Sequence, residues 1–300
     1  SGVATYDLPG GSGNLVWYFQ PGPFNLDHTM TVLDSTPNTG FFVSFAFLET
    51  IEADVQPAFA YHNDLGFGTG SLRFVGANEV LNDDWRAPVP VAGEPEFPGV
   101  DLGGESSIAN VNGNPAIAYH DAVNHRLLYV RASDPQGSTW NAPLPAVVVS
   151  EAGVEELGSS PGLTTLQDGR PAVFYERKAD AFGVTQLMFK VASDANGNGW
   201  YPAATQIALS VNPNSRISAD KGPDASPAVA YCLPASAGGD CYVSQISSVD
   251  GTGLASYADW IACTQPGVNY KNPSLAFIGG RAAVSAYEET NQDLVFNIRW

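Results

Sequence analysis

The feature that most narrows the fold of this chain is a short apolar run that opens on Pro-Ala and closes on Tyr. It reads QPAFAYHND from residue 56, NPAIAYHDA from 114, RPAVFYERK from 170 and SPAVAYCLP from 226, with a looser copy, RAAVSAYEE, from 281. Successive starts lie 58, 56, 56 and 55 residues apart. A fixed period of this size marks an architecture in which one supersecondary unit is copied and its copies bury one another's faces.

Each copy has the same neighbours. Before it stands a strand-like run ending in a tight turn, such as SSIANVNGN or GLTTLQDGR; after it comes a run with alternating apolar residues, such as RLLYVRA or QLMFKVA. Trp85, Trp140, Trp200 and Trp260 then open a fourth run. Four short strands per repeat, divided by Gly, Asn, Asp and Pro, is the pattern of a propeller blade. The expectation is therefore an all-β, five-bladed β-propeller of four-stranded antiparallel blades in one domain spanning 1–300. Blades are expected near 40–92, 100–150, 155–210, 212–264 and 268–300 plus 12–22. The last repeat ends after its third strand, so the N-terminal NLVWYFQPGP, with Trp17, is assigned to close the ring; a separate N-terminal hairpin is the alternative. Residues 25–55 are longer than the matching stretch of other repeats, and such insertions often carry function.

Acidic residues outnumber basic ones by 31 to 13, for a formal net charge of -18. That balance repels nucleic acid and anionic membrane surfaces, which need basic patches. No run of 18 or more apolar residues is present, so no membrane insertion is expected. The opening SGVATYDLPGG has no basic start and no apolar signal core: a signal has been removed or none existed. Cys232 and Cys241 flank LPASAGGD, where a hairpin would bring them together as a disulfide or as two buried thiols. The disulfide reading fits a secreted or cell-surface protein. Cys263 is left as a buried thiol or an intermolecular bridge.

The stretch GNPAIAYHD…RLLYVRASDPQGSTW resembles the repeats of secreted bacterial β-propeller proteins, and its turn resembles the Asp-box of sialidase-like propellers. Ser133, Gly137 and Trp140 match that box, as do Ser193, Gly197 and Trp200, while Pro135 and Ala195 stand at the Asp position and Asp134 and Asp194 come one residue early. The resemblance implies a structural turn between third and fourth strands, on the face away from any active site. A calcium loop is the rival reading of DANGNG, with oxygen-bearing side chains at positions one, three and five and Gly at six. Thr205 stands where such a loop needs Glu, so no cofactor is expected, with calcium the ion to consider.

Function is then expected on the opposite loop face, after each repeated Tyr. The candidate ligand-binding residues are Tyr61, His62, Asp64, Tyr119, His120, Asp121, Tyr175 and Glu176. Two His and a Glu at equivalent places suggest a metal, but second strands stand about 5 Å farther from a propeller axis than first strands, and ligands must lie within roughly 2.2 Å of zinc. No metal site is therefore assigned. Nine scattered arginines show no cluster for an acidic sugar, and no GxSxG, HExxH or P-loop motif occurs. Tyr and Trp on a loop face stack on sugar rings while Asp, Asn and His bond hydroxyls. The expected function is thus an extracellular, non-enzymatic recognition module binding glycans or a cell-surface polymer. The alternatives are a polysaccharide-acting glycoside hydrolase or lyase using face carboxylates, such as Asp64, Asp121, Glu176 and Glu288, and a self-associating structural subunit.

Overall fold

The computed structural model describes residues 2–7, 13–19, 29–49, 55–66, 69–78, 84–93, 102–140, 147–149, 157–178, 184–213, 215–250 and 253–298. It is all-β apart from one short 3-10 turn, Ala235–Ala237, among the described residues. An N-terminal sheet is formed by β1 (Gly2–Asp7), β2 (Asn14–Phe19) and β3 (Thr29–Asp34). The five repeats then fold as successive propeller blades. Blade one is β4 (Thr39–Glu49), β5 (Val55–Gly66), β6 (Thr69–Gly76) and β7 (Val89–Gly93). Blade two is β8 (Leu102–Val111), β9 (Asn114–Asp121), β10 (Arg126–Arg131) and β11 (Val147–Val148). Blade three is β12 (Leu157–Thr165), β13 (Pro171–Lys178), β14 (Thr185–Val191) and β15 (Thr205–Ala208). Blade four is β16 (Ser218–Lys221), β17 (Pro227–Cys232), β18 (Cys241–Asp250) and β19 (Gly253–Cys263). Blade five is β20 (Tyr270–Ile278), β21 (Arg281–Glu288) and β22 (Asp293–Ile298).

The strand assigned to ring closure pairs within an N-terminal sheet instead. β2, which contains Trp17, pairs with β1 along one edge and β3 along the other, so both of its hydrogen-bonding edges are taken within the N-terminal sheet. Among the described residues, β22 pairs with β21 alone and blade five has three strands. Residues 20–23 of the stretch assigned to closure, and residues 25–28 and 50–54 of the expected insertion, lie outside the described residues. The chain divides into two compact units, Ser1–Asn124 with Leu128–Val148, and His125–Leu127 with Val149–Trp300.

The second strand of each of the first four repeats is buried on both faces, which explains why Pro-Ala…Tyr reads as an unbroken apolar run rather than an alternating one. Residues 115–119 of β9 and 171–176 of β13 are buried throughout. Each core cluster spans two neighbouring sheets. In the first unit, Leu72, Phe74 and Val91 of blade one pack with Ile108, Ile117 and Trp140 of blade two. Leu15 and Leu33 of the N-terminal sheet pack with Phe59, Tyr61 and Val75. In the second unit, Phe174 and Phe189 of blade three join Val229 and Tyr231 of blade four, and Val243 of blade four joins Leu275 and Val284 of blade five.

The two Trp-ending turns, residues 133–140 and 193–200, are held together by Asp134 and Asp194. Asp134 Oδ1 accepts the Gln136 and Ser138 amides at 3.1 and 3.0 Å, and Oδ2 accepts the Thr139 amide at 2.8 Å. Asp194 does the same for Asn196, Asn198 and Gly199. The indole N–H of Trp140 donates to Gly137 O at 2.9 Å, and that of Trp200 to Gly197 O at 3.1 Å. An Ala eight residues before each Trp completes the turn through an isolated bridge, Ala132 with Trp140 and Ala192 with Trp200. Blade one has the same bridge, Ala77 with Trp85, although no Asp-box is readable there. Arg86 fastens blade two's turn to blade one, donating to Gln136 O at 2.9 Å.

Gly137 has φ +67, and a Cβ added there would stand 2.5 Å from Phe74 Cε1; Gly113 has φ +79 but open space around it. Gly137→Ala should therefore destabilise by about 2–3 kcal/mol and Gly113→Ala by about 1 kcal/mol in urea unfolding. Burial works to raise the Asp134 carboxyl, but the N–H groups aimed at it outweigh burial and hold it below its ordinary value; the same balance lowers Asp194. A depressed carboxylate stabilises the fold fully above its unfolded pKa and stops doing so as pH falls through the folded value. The stability gap between wild type and a D134A/D194A variant should thus be constant above about pH 5 and shrink below about pH 4, as read from urea midpoints.

Candidate functional site

The repeated tyrosines are packing residues. Tyr61, Tyr119 and Tyr175 are at most 2% exposed, and Tyr231 is buried as well. Tyr61 donates to Asp34 Oδ2 at 2.7 Å, and Arg73 Nη1 lies 3.0 Å from the same oxygen. Burial first, and then the Asp34 carboxylate, pushes the Tyr61 phenol upward. Arg73 also donates to Thr36 Oγ1, and the Asn63 amide, oriented to donate, faces the Pro37 and Asn38 carbonyls at 3.0 and 3.2 Å. Blade one's extra segment is thereby docked onto the ends of β5 and β6. In blade five the register places Ala286, not Tyr287, at the buried Tyr position: Phe174 of β13 opposes Gly162, and its counterpart Ser285 opposes Ser274. Tyr287 is half-buried, with Lys271 Nζ 5.6 Å from its ring centre.

The carboxylates after these tyrosines are mostly turn caps. Asp121, 1% exposed, accepts the Asn124 backbone and side-chain N–H at 3.0 and 2.8 Å. Glu288 holds the equivalent position and caps Asn291 in the same way, with backbone N–H at 3.1 Å and side chain at 2.7 Å. Both sit in an acid-x-x-Asn turn, a signal present in the sequence. Asp64 is exposed and accepts Gly66 N–H at 2.7 Å. His62 is buried against Gly70, where a Cβ would stand 2.1 Å from its Nε2; Gly70 has no steric alternative. His120 is half-buried, and Glu176 is buried beside Arg177, whose guanidinium donates to Gln186 Oε1. Among the described residues no three His, Cys, Asp or Glu stand together in a way that could hold a metal ion.

What the sequence pattern did not bring forward is the first strand of each blade. Its outer backbone edge shares no ladder with another blade among the described residues, so its N–H groups need other acceptors. Side-chain oxygens of the preceding blade supply them. Ser44 Oγ accepts Ile108 N–H at 2.9 Å between blades one and two. Between blades four and five, Ser218 Oγ accepts Leu275 N–H at 3.0 Å and Asp220 Oδ2 accepts Phe277 N–H at 3.2 Å. Ser44, Ser107, Gly162, Ser218 and Ser274 occupy one structural position, opposite the third residue after the Pro-Ala start. Gly162 is the exception because a Cβ there would stand 2.8 Å from Ala219 Cβ.

Two residues before that position the strand bulges. The ladder skips between Phe41 and Ser44 in β4, Leu102 and Ser106 in β8, Ser159 and Gly162 in β12, and Lys271 and Ser274 in β20. Two residues before the shared position stand Phe42, Glu105, Ser160, Arg216 and Asn272, an aromatic, an acid, a hydroxyl, a guanidinium and an amide; all but Arg216, which precedes β16, lie within these skips. Phe42, Ser160 and Asn272 have φ of +52, +47 and +49. For a bulky Phe this is a strained conformation, costing about 1–2 kcal/mol, and bulges re-aim side chains beside functional sites. Phe42 is 37% exposed, with its ring centre 6.1 Å from that of His62. In the second unit, Asn272 N–H donates to Ser215 Oγ at 2.8 Å and Arg216 N–H to Asn272 Oδ1 at 3.1 Å, which fixes the backbone beneath both exposed side chains. Turn length hid this alignment, because the shared position lies 13, 8, 9, 9 and 8 residues before the Pro-Ala start.

No protein-family model matches the sequence, and no curated protein matches it. The structure is similar to an alpha-L-arabinanase from Penicillium chrysogenum complexed with arabinobiose (TM-score 0.61, 14% identity, covering 99% of this chain and 92% of that one). It is also similar to the GH93 alpha-L-arabinofuranosidase of Fusarium graminearum (0.59, 12%, 98% and 91%) and the NanB sialidase of Streptococcus pneumoniae (0.61, 9%, 99% and 64%). The fold that this chain shares with these sialidase and arabinanase structures is the β-propeller.

Ser218→Ala leaves Leu275 N–H without its acceptor and should destabilise by about 1–2 kcal/mol. Ser236→Ala, at an exposed serine, should stay within about 0.5 kcal/mol when both are compared by urea unfolding.

Proposed function

We propose that this protein is an extracellular glycan-recognition propeller, with Phe42 at the bulged end of blade one's first strand as a ligand contact. The observation that carries the reading is the contrast within the repeat. The buried Tyr and the first-strand Ser each recur in four of the five blades, whereas the position two residues before that Ser differs in all five and in blade one holds an exposed, strained Phe42. An aromatic face stacks on the C–H face of a sugar ring, and polar side chains bond its hydroxyls. The carbohydrate-directed names of the neighbours support the ligand class, and the disulfide of blade four is consistent with secretion. An enzyme reading, as hydrolase or lyase, draws support from the same neighbours, with Glu105 of blade two or Glu176 of blade three as the carboxylate to test.

A glycan array and an assay for sugar release from polysaccharides test both readings. Phe42→Gly should weaken glycan binding by about tenfold, ~1.4 kcal/mol, while leaving unfolding stability equal or higher because the backbone strain is relieved. Sugar release lost in Glu105→Gln or Glu176→Gln would move the assignment to the enzyme. An array without hits together with no sugar release would overturn the glycan reading.

A further inference from the structure

Blade four holds all three cysteines of the chain. Cys232 ends β17, Cys241 opens β18 and Cys263 ends β19. Cys232 stands directly opposite Cys241, and Cys241 opposite Cys263, next to a one-residue bulge at Ala262. Residues directly opposite one another on antiparallel strands point to the same face, so the three side chains form one row with Cys241 in the middle. All three belong to one apolar cluster with Val243, Ala262 and Tyr270. Cys232 and Cys241 are disulfide-bonded, with Cα atoms 3.9 Å apart, and Cys263 is a buried free thiol. Opposed Cα atoms in an antiparallel pair lie about 4.5–5.5 Å apart, inside the span that a disulfide bridges. Cys263 therefore sits within bonding reach of Cys241, on the side away from Cys232. Thiol–disulfide exchange needs this arrangement, because the attacking sulfur approaches along the axis of the bond that breaks.

We propose that this row is an internal disulfide relay, in which Cys263 displaces Cys232 from Cys241 and moves the crosslink from β17–β18 to β18–β19. The Cys263 thiol gives up its proton and its sulfur bonds to Cys241 Sγ. The Cys232–Cys241 bond breaks, its electron pair leaves on Cys232 Sγ, and that sulfur takes up a proton. One disulfide and one thiol are present before and after, so no oxidant or reductant is required. The relay has two structural effects. It unties the loop from Leu233 to Asp240, which is then held by hydrogen bonds such as Leu233 N–H to Asp240 O at 2.9 Å and Tyr270 N–H to Gly239 O at 3.0 Å. It also places a free thiol at Cys232, the position that His62, His120 and Glu176 hold in blades one to three. Burial pushes the Cys263 thiol up, so the relay runs faster as pH rises above the ordinary thiol range.

The test holds the oxidised full chain without reductant between pH 7 and 9.5, quenches it with acid, blocks free thiols with N-ethylmaleimide in denaturant, and maps crosslinked peptides by mass. The expected result is blocked Cys263 near pH 7 and, with rising pH, a several-fold growth of the Cys241–Cys263 peptide together with blocked Cys232. The conversion should not change on tenfold dilution and should vanish in Cys263→Ser. Cys263 remaining the sole blocked residue at every pH would overturn the relay, as would a Cys241–Cys263 link found only between chains. Cys232→Ser offers a second measurement: exposed to oxidised glutathione, the folded monomer should form Cys241–Cys263, and a folded monomer that never does so contradicts the proposal.

Discussion

Every blade begins with a strand whose outer backbone edge has no ladder to join, and the rest of the molecule is arranged around satisfying it. An unpaired buried N–H costs about as much as a lost hydrogen bond, so an acceptor must come from the neighbouring blade. A side-chain oxygen placed on the preceding first strand does this with one short residue. Ser44 and Ser218 perform it in different halves of the sequence, each toward the residue after the next blade's equivalent serine. That requirement accounts for the small polar residues Ser44 and Ser218 on the first strands. It also fixes where the strand must bulge, since the residues just before the serine leave the ladder.

Much of the architecture was legible in the sequence because its causes are local. The period follows from Pro-Ala…Tyr, whose residues are buried on both faces, and the Trp turns follow from Gly at positive φ and an Asp that collects turn amides. What stayed hidden depends on register or on distant pairing. Tyr287 looks equivalent to Tyr175 in sequence, but one added residue turns it to the other face and gives its place to Ala286. Trp17 looks like a fourth-strand Trp, yet β1 and β3 occupy both edges of its strand. The acid-x-x-Asn turn caps at Asp121 and Glu288 were readable and explain acids that otherwise resemble site residues.

The candidate site was the least legible part for the same reason. A bulge is a mismatch between two strands, and neither strand's sequence states it alone. Only when Ser44, Ser107, Gly162, Ser218 and Ser274 are superposed through their partners does the divergent position before them stand out. Its residues differ in size, charge and polarity, while the neighbouring packing residues hardly vary. Repetition thus works as an internal comparison: positions that answer to packing stay fixed, and those free of it differ.

Joining blades by single side-chain oxygens rather than by continuous ladders has a consequence for how such a chain changes over generations. Each blade closes most of its own backbone bonds, and from blade one to two and from blade four to five the boundary carries a contact presented and received in the same place. A duplicated or deleted unit meets neighbours already equipped to hold it. Copy number is then a quantity that this construction can alter in whole steps, with the new unit's bulged residue arriving as raw material for a different specificity.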